Sequence, residues 1–457
     1  MHTFDSRCGM LRYSRLLPVT MAMALSATVA FAADPPVYDV THLGPMQRVS
    51  AMNAHGVCVG ATVEGSLVRA WVARPNGTRE FLPLGSGGPY SRAFDINDSG
   101  VIIGMIGGEN GRPIGWYPDG QGGYDVVDLG TLPGHQHGVP TAINNRGDIV
   151  GMSIIPGWMG GPAVWFNAPE GLRDLTPHGM WAKPEDISDQ RIVVGGTYRF
   201  NMERGTVEEF GNPPGLSLGR FIEVNEFGQM AATAGNGQQH DSIQLVRWTD
   251  GHGWDLITDT GGRYDGVYGL NSRGEATCEV RGSQKIFTDE LGLRDLEDLL
   301  APEHREWQFF NDFGNDINES GQIVVMGYNT PLQLSGPVLL TPRGLRLVAD
   351  PIIRGELLSM SAFGANQGDR VFFLYSPNNL GSGPCVSHFG GLCLDLLLPV
   401  IHVATATADT NGEASTQIPV PANAPLALVH MQAVARRGSN GSASVKSNTV
   451  TAPVLPR

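Results

Sequence analysis

The stretch Ala93-Phe-Asp-Ile-Asn-Asp-Ser-Gly-Val-Ile-Ile-Gly104 decides the fold, because the chain repeats it. A close copy stands at Thr141–Gly151 (TAINNRGDIVG) and another at Gly314–Gly327 (GNDINESGQIVVMG). Aligned on the apolar–Asn pair, seven copies emerge. They start at Met52-Asn53, Ile96-Asn97, Ile143-Asn144, Ile187-Ser188, Val224-Asn225, Leu270-Asn271 and Ile317-Asn318, spaced 37 to 47 residues apart. Four residues after the apolar member stands Gly56, Gly100, Gly147, Gly228, Gly274 or Gly321, and only the fourth copy departs, with Arg191. Eight residues after it the side chain is again small or medium: Gly60, Gly104, Gly151, Gly195, Ala232, Cys278 and Val325.

Asn-x-x-Gly reads as a tight turn between two strands. Asn hydrogen-bonds its own backbone locally, and Gly takes the positive φ that such a turn needs. A β-rich run follows each turn, then a third strand bearing Trp71, Trp116, Trp165 or Trp248, then a fourth strand such as Val126–Gly134 or Gly171–Gly179. Four short strands per unit, repeated seven times, match one β-propeller blade per repeat. The alternative, an open β-solenoid, requires shorter coils. The expected fold is therefore all-β: a seven-bladed β-propeller over 38–351, followed by a small antiparallel β-sandwich over 354–457. The run Tyr38–Gly44 (YDVTHLG) looks like a fourth strand without a blade, so it is expected to join the last repeat or lie against it and so close the ring. Leu345–Pro351 (LRLVADP) reads as that repeat's own end.

With 41% hydrophobic and 17% charged residues, the chain can bury a core. Its 61 glycines and 31 prolines make up about a fifth of it and fit many tight turns. Residues 1–32 have the layout of a signal peptide: Arg7, Arg12 and Arg15, then apolar Leu16–Val29, then Ala30-Phe31-Ala32. Export to the periplasm, the cell surface or the medium is expected, with no membrane span after signal removal. Loss of Asp5 and the three arginines removes a net +2 and takes the formal charge from −14 to −16. Such an acidic chain is a poor nucleic-acid binder. Cys385 and Cys393 enclose a short Gly-rich loop and are expected to form a disulfide, while Cys58 and Cys278 read as buried free thiols.

The words DLGTLPG (Asp128–Gly134) and TAINNRGDIVG, with the Trp-bearing third strand, make the chain resemble the HAF-repeat family over roughly Tyr38–Pro351. The His-Ala-Phe tripeptide is altered here to Arg69-Ala70-Trp71 and Ala163-Val164-Trp165. The resemblance implies a repeat protein made for export and carries no activity. Beyond Pro351, GGLCLDLLLPV (Gly390–Val400), ATADTNGEAS (Ala406–Ser415) and MQAVARRGS (Met431–Ser439) resemble a C-terminal module found on assorted secreted bacterial proteins, which suits attachment or sorting.

Chemical motifs are sparse. DINDSG and DINESG offer oxygens at calcium-loop spacing but lack the bidentate Glu at position twelve, and read as turns. His135 and His137 have no second ligand cluster at usable spacing, so no metal or cofactor is expected. Four residues before the apolar–Asn pair stand Arg48, Arg92, Lys183 and Arg220 in four of the seven repeats. In a propeller this offset falls where the chain enters each innermost strand, so the four form a candidate anion-attracting rim, with Tyr90, Trp181 and Trp307 as flat apolar surface beside it. Trp158, Trp181, Trp254 and Trp307, out of phase with the third-strand series, are expected to be exposed. The sequence thus points to an exported binding or surface-scaffold protein with a polysaccharide or protein ligand. The alternative is a polysaccharide lyase or hydrolase at a propeller mouth, with Asp95, Asp186, Glu223 and Asp316 as the available carboxylates; their repeated offset favours a structural role.

Overall fold

Each Asn-x-x-Gly turn folds as its residue types dictate. Asn97 N–H donates to the Val101 carbonyl (3.1 Å), Gly100 N–H donates back to the Asn97 carbonyl (3.0 Å), and the Asn97 side-chain oxygen accepts Val101 N–H (2.9 Å). Gly100 sits at φ 80°, and its counterparts Gly56, Gly147, Gly228, Gly274 and Gly321 lie between 73° and 83°. Arg191, which replaces glycine in the fourth copy, is forced to φ 58°. The structure, a computed structural model, describes residues 36–457 except 66, 86, 87, 89, 109, 110, 156–160, 162, 168–170, 236–242, 259–264, 311–314 and 411. The signal-peptide reading and Trp158 lie outside the described residues.

Each of the first six repeats builds one antiparallel sheet in chain order. The first runs Val49–Met52, Cys58–Glu64, Leu67–Ala73, Arg79–Phe81, and the next five follow the same plan. In the last repeat, Trp307–Phe310 and Asp316–Ile317 both pair with Ile323–Asn329, which pairs with Leu334–Pro342. The outermost place is taken by the N-terminal strand Tyr38–His42, antiparallel to Leu334–Pro342 with Tyr38 opposite Pro342. Chain ends thus close the propeller, and the edge that would otherwise template foreign strands is paired. Arg343 fastens this strand: it holds Asp39 at 2.7 Å and also contacts Glu303, while His304 lies 3.5 Å from Asp39. The guanidinium keeps the Asp39 carboxyl below its usual range.

Apolar side chains pack between neighbouring sheets all the way round. Ala51, Val59, Ile96 and Ile102 join the first and second sheets, Ile286, Ile317 and Val325 the sixth and seventh, and Met52, Cys58, Trp71 and Val324 the seventh and first. Trp71 and Trp116 are fully buried, and their indole N–H groups donate to the carbonyls of Gln47 (3.0 Å) and Pro83 (2.8 Å). Trp71, Trp116 and Trp165 are blade cores, and Trp248 is half-buried against the core of the fifth sheet. Cys58 and Cys278 are buried free thiols, as expected.

The eighth-position glycines have a steric cause. A Cβ on Gly60, Gly104, Gly151 or Gly195 would lie 2.0–2.2 Å from the carbonyl oxygen of Arg48, Arg92, Val139 or Lys183. Closely following bulges, such as that between Ala93 and Asp95, bend the innermost strands. Ala232 and Cys278 hold the same register, opposite Phe221 and Val267 as Gly104 is opposite Ala93, and the strand pairing does not explain the larger side chains there.

The C-terminal module is a two-sheet sandwich. One sheet is ordered Arg346–Ala349, Leu357–Phe363, Ala414–Pro419, and the other Ile352–Ile353, Val445–Leu455, Leu428–Arg436, Arg370–Ser376, Ile401–Thr407. Its core includes Leu347, Met360, Val371, Phe373 and Ala433. The run Leu345–Pro351, read from sequence as the end of the last blade, belongs here instead: Arg346–Ala349 pairs with Leu357–Phe363. The N-terminal strand already holds the place it would have taken. Cys385 and Cys393 form the expected disulfide across a small hairpin. Arg346 ties sandwich to propeller through Glu275 (2.9 Å), which also binds Arg273 (2.5 Å). Burial alone would raise the Glu275 carboxyl, yet the two guanidiniums hold it well below the usual carboxylate range. Among the described residues no helix is long and apolar enough to cross a membrane.

Asn97 tests the turn logic. Asn97→Ala is expected to destabilise the protein by about 2–4 kcal/mol, since several buried hydrogen bonds lose a partner at once. Asn97→Ser, the residue found at the equivalent Ser188, keeps a neutral acceptor, loses the amide donor and should cost less. Urea denaturation followed by tryptophan fluorescence measures both.

Candidate functional site

The axis of the propeller is built from the turns. Each Asn side-chain amide reaches the next repeat: Asn53 to the Asn97 carbonyl, Asn97 to Asn144 (both 3.1 Å), Asn144 to Ser188 (3.0 Å), Asn225 to Asn271 (2.8 Å), Asn271 to Asn318 (3.3 Å), and Asn318 back to Asn53 (3.1 Å). The residue after each Asn adds a second set. Ala54, Asp98, Asn145, Asp189 and Ser272 donate backbone N–H to the side-chain oxygens of Asp98, Asn145, Asp189, Glu226 and Glu319. Oxygens that a calcium reading would use are occupied likewise: the Asn97 and Asn318 side-chain oxygens accept the hydroxyls of Ser99 and Ser320, each at 2.8 Å.

The candidate catalytic carboxylates are structural ties. Asp95 accepts Ile96 N–H (2.7 Å) and, from the next repeat, Ile143 N–H (2.8 Å). Asp186 does the same with Ile187 and Val224, and Asp316 with Ile317 and Met52. Burial pushes Asp95 up to about 7 and Asp186 up to about 6, against the backbone donors that favour the charged form. Asp316 is raised well above its ordinary range by burial and by Asp95 and Asp186. Glu223 is raised by burial and by Asp186, Asp316, Asp95 and Glu185. The carboxylates of the inner turns therefore keep their protons to higher pH than exposed carboxylates do.

The four basic residues do not share one fate. Lys183 and Arg220, from the fourth and fifth repeats, meet on one carboxylate: Glu185 binds Lys183 at 2.6 Å and Arg220 at 3.0 Å. Arg220 remains 57% exposed and Lys183 40%, whereas Glu185 is 14% exposed. Arg92 lies over the ring of its neighbour Phe94, 5.7 Å from the centroid. Arg48 takes φ 51° and contributes its carbonyl to Ala61 N–H (3.1 Å). The spacing that aligned Arg48, Arg92 and Lys183 belongs to their carbonyls, which face the eighth-position glycines; it does not set where the side chains go.

The aromatic candidates divide as sharply. Trp181, two residues before Lys183, is 73% exposed. Tyr90 is half-buried and bridges Val68 through its backbone. Trp307 corrects the reading from sequence: it is 5% exposed, packed in the last sheet 5.7 Å from His42. Its strand pairs with Ile323–Asn329, turning the indole into the core. Trp254 is half-buried and stacks on Phe221 at 5.8 Å. Glu185 is the member missed from sequence; its signal was an acid two residues after Lys183.

Glu223 gives a pH test with a definite sign. Its folded-state proton affinity exceeds that of the unfolded chain, so as pH rises the unfolded state ionises first and stability falls. Removing the ionisation by Glu223→Gln should raise the thermal midpoint at pH 8 and leave it unchanged near pH 4, where both states hold the proton. Differential scanning calorimetry across that range measures the convergence; a constant offset at all pH values would contradict the cause given.

No family model matches the chain, and no curated protein matches it. Among solved structures, a catalytically inactive virginiamycin B lyase from Staphylococcus aureus, determined with quinupristin, is 11% identical, covers 66% of this chain and 99% of its own, and superposes with a TM-score of 0.41. A post-proline cleaving enzyme from Rickettsia typhi is 9% identical, with 89% of this chain and 58% of its own covered at a TM-score of 0.27. Both have propeller folds, and the likeness concerns architecture alone.

Proposed function

We propose that this is an exported binding or scaffold protein that recognises an acidic polysaccharide at the face carrying Trp181, Lys183 and Arg220. The observation that carries the reading is the exposed indole of Trp181 two residues from a paired cation cluster. A sugar ring stacks on such an indole, and two cations sharing one carboxylate leave a positive charge for a uronate or sulfate. Burial raises the proton affinity of the inner carboxylates, which lessens the charge they set against such a ligand. Their commitment to backbone N–H groups also speaks for a scaffold over acid–base catalysis. The resemblance to HAF repeats and the disulfide fit a protein working outside the cytoplasm.

Polygalacturonate, with neutral dextran as control, is the probe. Saturable binding of polygalacturonate is expected, and Trp181→Ala should weaken it by roughly 2- to 12-fold, the effect of losing about 0.5–1.5 kcal/mol of ring stacking. Lys183→Gln with Arg220→Gln should weaken it further and flatten its salt dependence. Equal binding of dextran, or an unchanged Trp181→Ala variant, refutes the reading, and shortened polysaccharide in the mixture supports the lyase or hydrolase alternative.

A further inference from the structure

The C-terminal sandwich carries a cleft with a chemistry of its own. In the strand Arg370–Ser376, Val371 and Phe373 point into the core between the sheets, so Arg370, Phe372 and Leu374 share the opposite face. There Phe372 and Leu374 pack against Phe389, Leu394, Leu396 and Val434 beneath the disulfide-closed segment. The cover is incomplete. Between it and the edge strand Ile401–Thr407 lies a cleft of about 360 Å³, walled by Phe372, Leu374, Phe389, Leu394 and Leu398. Leu398 is 66% exposed there. The imidazoles of His388 and His402 flank Phe372, with ring centroids 5.3 and 5.6 Å away.

Charge at the rim points to the occupant. Arg370 lies over the Phe372 ring at 5.4 Å, and directly opposite it across the strand pair stands Arg436, whose Nε donates to the His388 carbonyl at 3.1 Å. Like charges directly opposite on one face repel. Neighbouring cations are neutralised, Arg437 by Asp369 and Lys446 by Asp395, but among the described residues Arg370 and Arg436 form no ion pair. In a chain with net charge −14, two unneutralised guanidiniums beside an apolar cleft complement an anion that brings its own apolar body.

We propose that this cleft binds a single-chain anionic amphiphile, its apolar part between Phe372, Leu374 and Leu398 and its acidic head at Arg370 and Arg436. The volume stands near the lower end of the ~300–1,000 Å³ found for small-ligand sites, room for one chain rather than the two of a bilayer phospholipid. His388 and His402 supply hydrogen-bonding groups between the two regions, though His402 already meets the Thr405 hydroxyl at 2.8 Å. The site is separate from the proposed polysaccharide face and stands or falls without it.

The test uses the whole protein and laurate below its micelle concentration, followed by isothermal titration calorimetry. Saturable one-to-one binding is expected, weakened about tenfold or more in Arg370→Gln/Arg436→Gln as the head loses its charge partners. Leu398→Glu, at an exposed position, should abolish binding while the far-ultraviolet circular dichroism of the parent is kept. Dodecyltrimethylammonium, with the same chain and the opposite charge, should bind far more weakly. Absence of laurate binding overturns the proposal, as does equal binding by the double variant or by the cationic amphiphile. Arginine-dependent binding to vesicles of anionic phospholipid without laurate binding overturns it in favour of a membrane surface.

Discussion

The rest of the structure depends on a side-chain amide that reaches across to the next repeat. Each turn asparagine does two jobs at once: its oxygen caps its own turn, and its N–H donates to a carbonyl of the neighbour. Both ends are buried, so a missing partner costs more than a typical hydrogen bond contributes. The last link, Asn318 to Asn53, joins residues 265 apart in the chain and makes the series circular. Sheet pairing alone would leave the repeats stacked side by side; the amide series and the intervening apolar layers fix their sequence around an axis.

Around that axis the protein uses carboxylates as acceptors for backbone N–H groups, and this governs the electrostatics. Asp95, Asp186 and Asp316 each hold a donor of the next repeat, placing several acids in one poorly hydrated space. Their mutual repulsion and burial favour protonation. An acidic composition therefore does not produce an equally acidic interior. The outward-facing cations Lys183 and Arg220 keep a local field that net charge would not suggest.

Much of the fold was legible because its determinants are local. Asn-x-x-Gly states a turn, and the recurring tryptophans state a packed layer. Closure by Tyr38–His42 was legible too, since that run resembles the fourth strand of the other repeats and has no blade of its own. Leu345–Pro351 misled because an alternating apolar run suits any half-buried strand, and the choice of partner depends on residues far away. The candidate site was less legible. The offset of Arg48, Arg92 and Lys183 is set by carbonyls beside glycines, and such spacing says nothing of where long side chains go. Trp307 was misplaced because two separate strands, Trp307–Phe310 and Asp316–Ile317, pair with Ile323–Asn329 in the last sheet.

Ser188 breaks the amide series at one joint. Having no amide, it cannot repeat the Asn link to the fifth repeat, and that joint is spanned by Asp186 to Val224 N–H, Asp189 N–H to Glu226, Arg220 to Glu185, and the backbone pair Phe221–Gly196. Glu226 is pushed up to about 8 by burial and by Asp189. Most joints here have a neutral amide that acid and salt leave alone; this one has ionisable groups in its place. At the joint between the two repeats that carry Lys183 and Arg220, the polar side-chain ties are thus ionisable throughout.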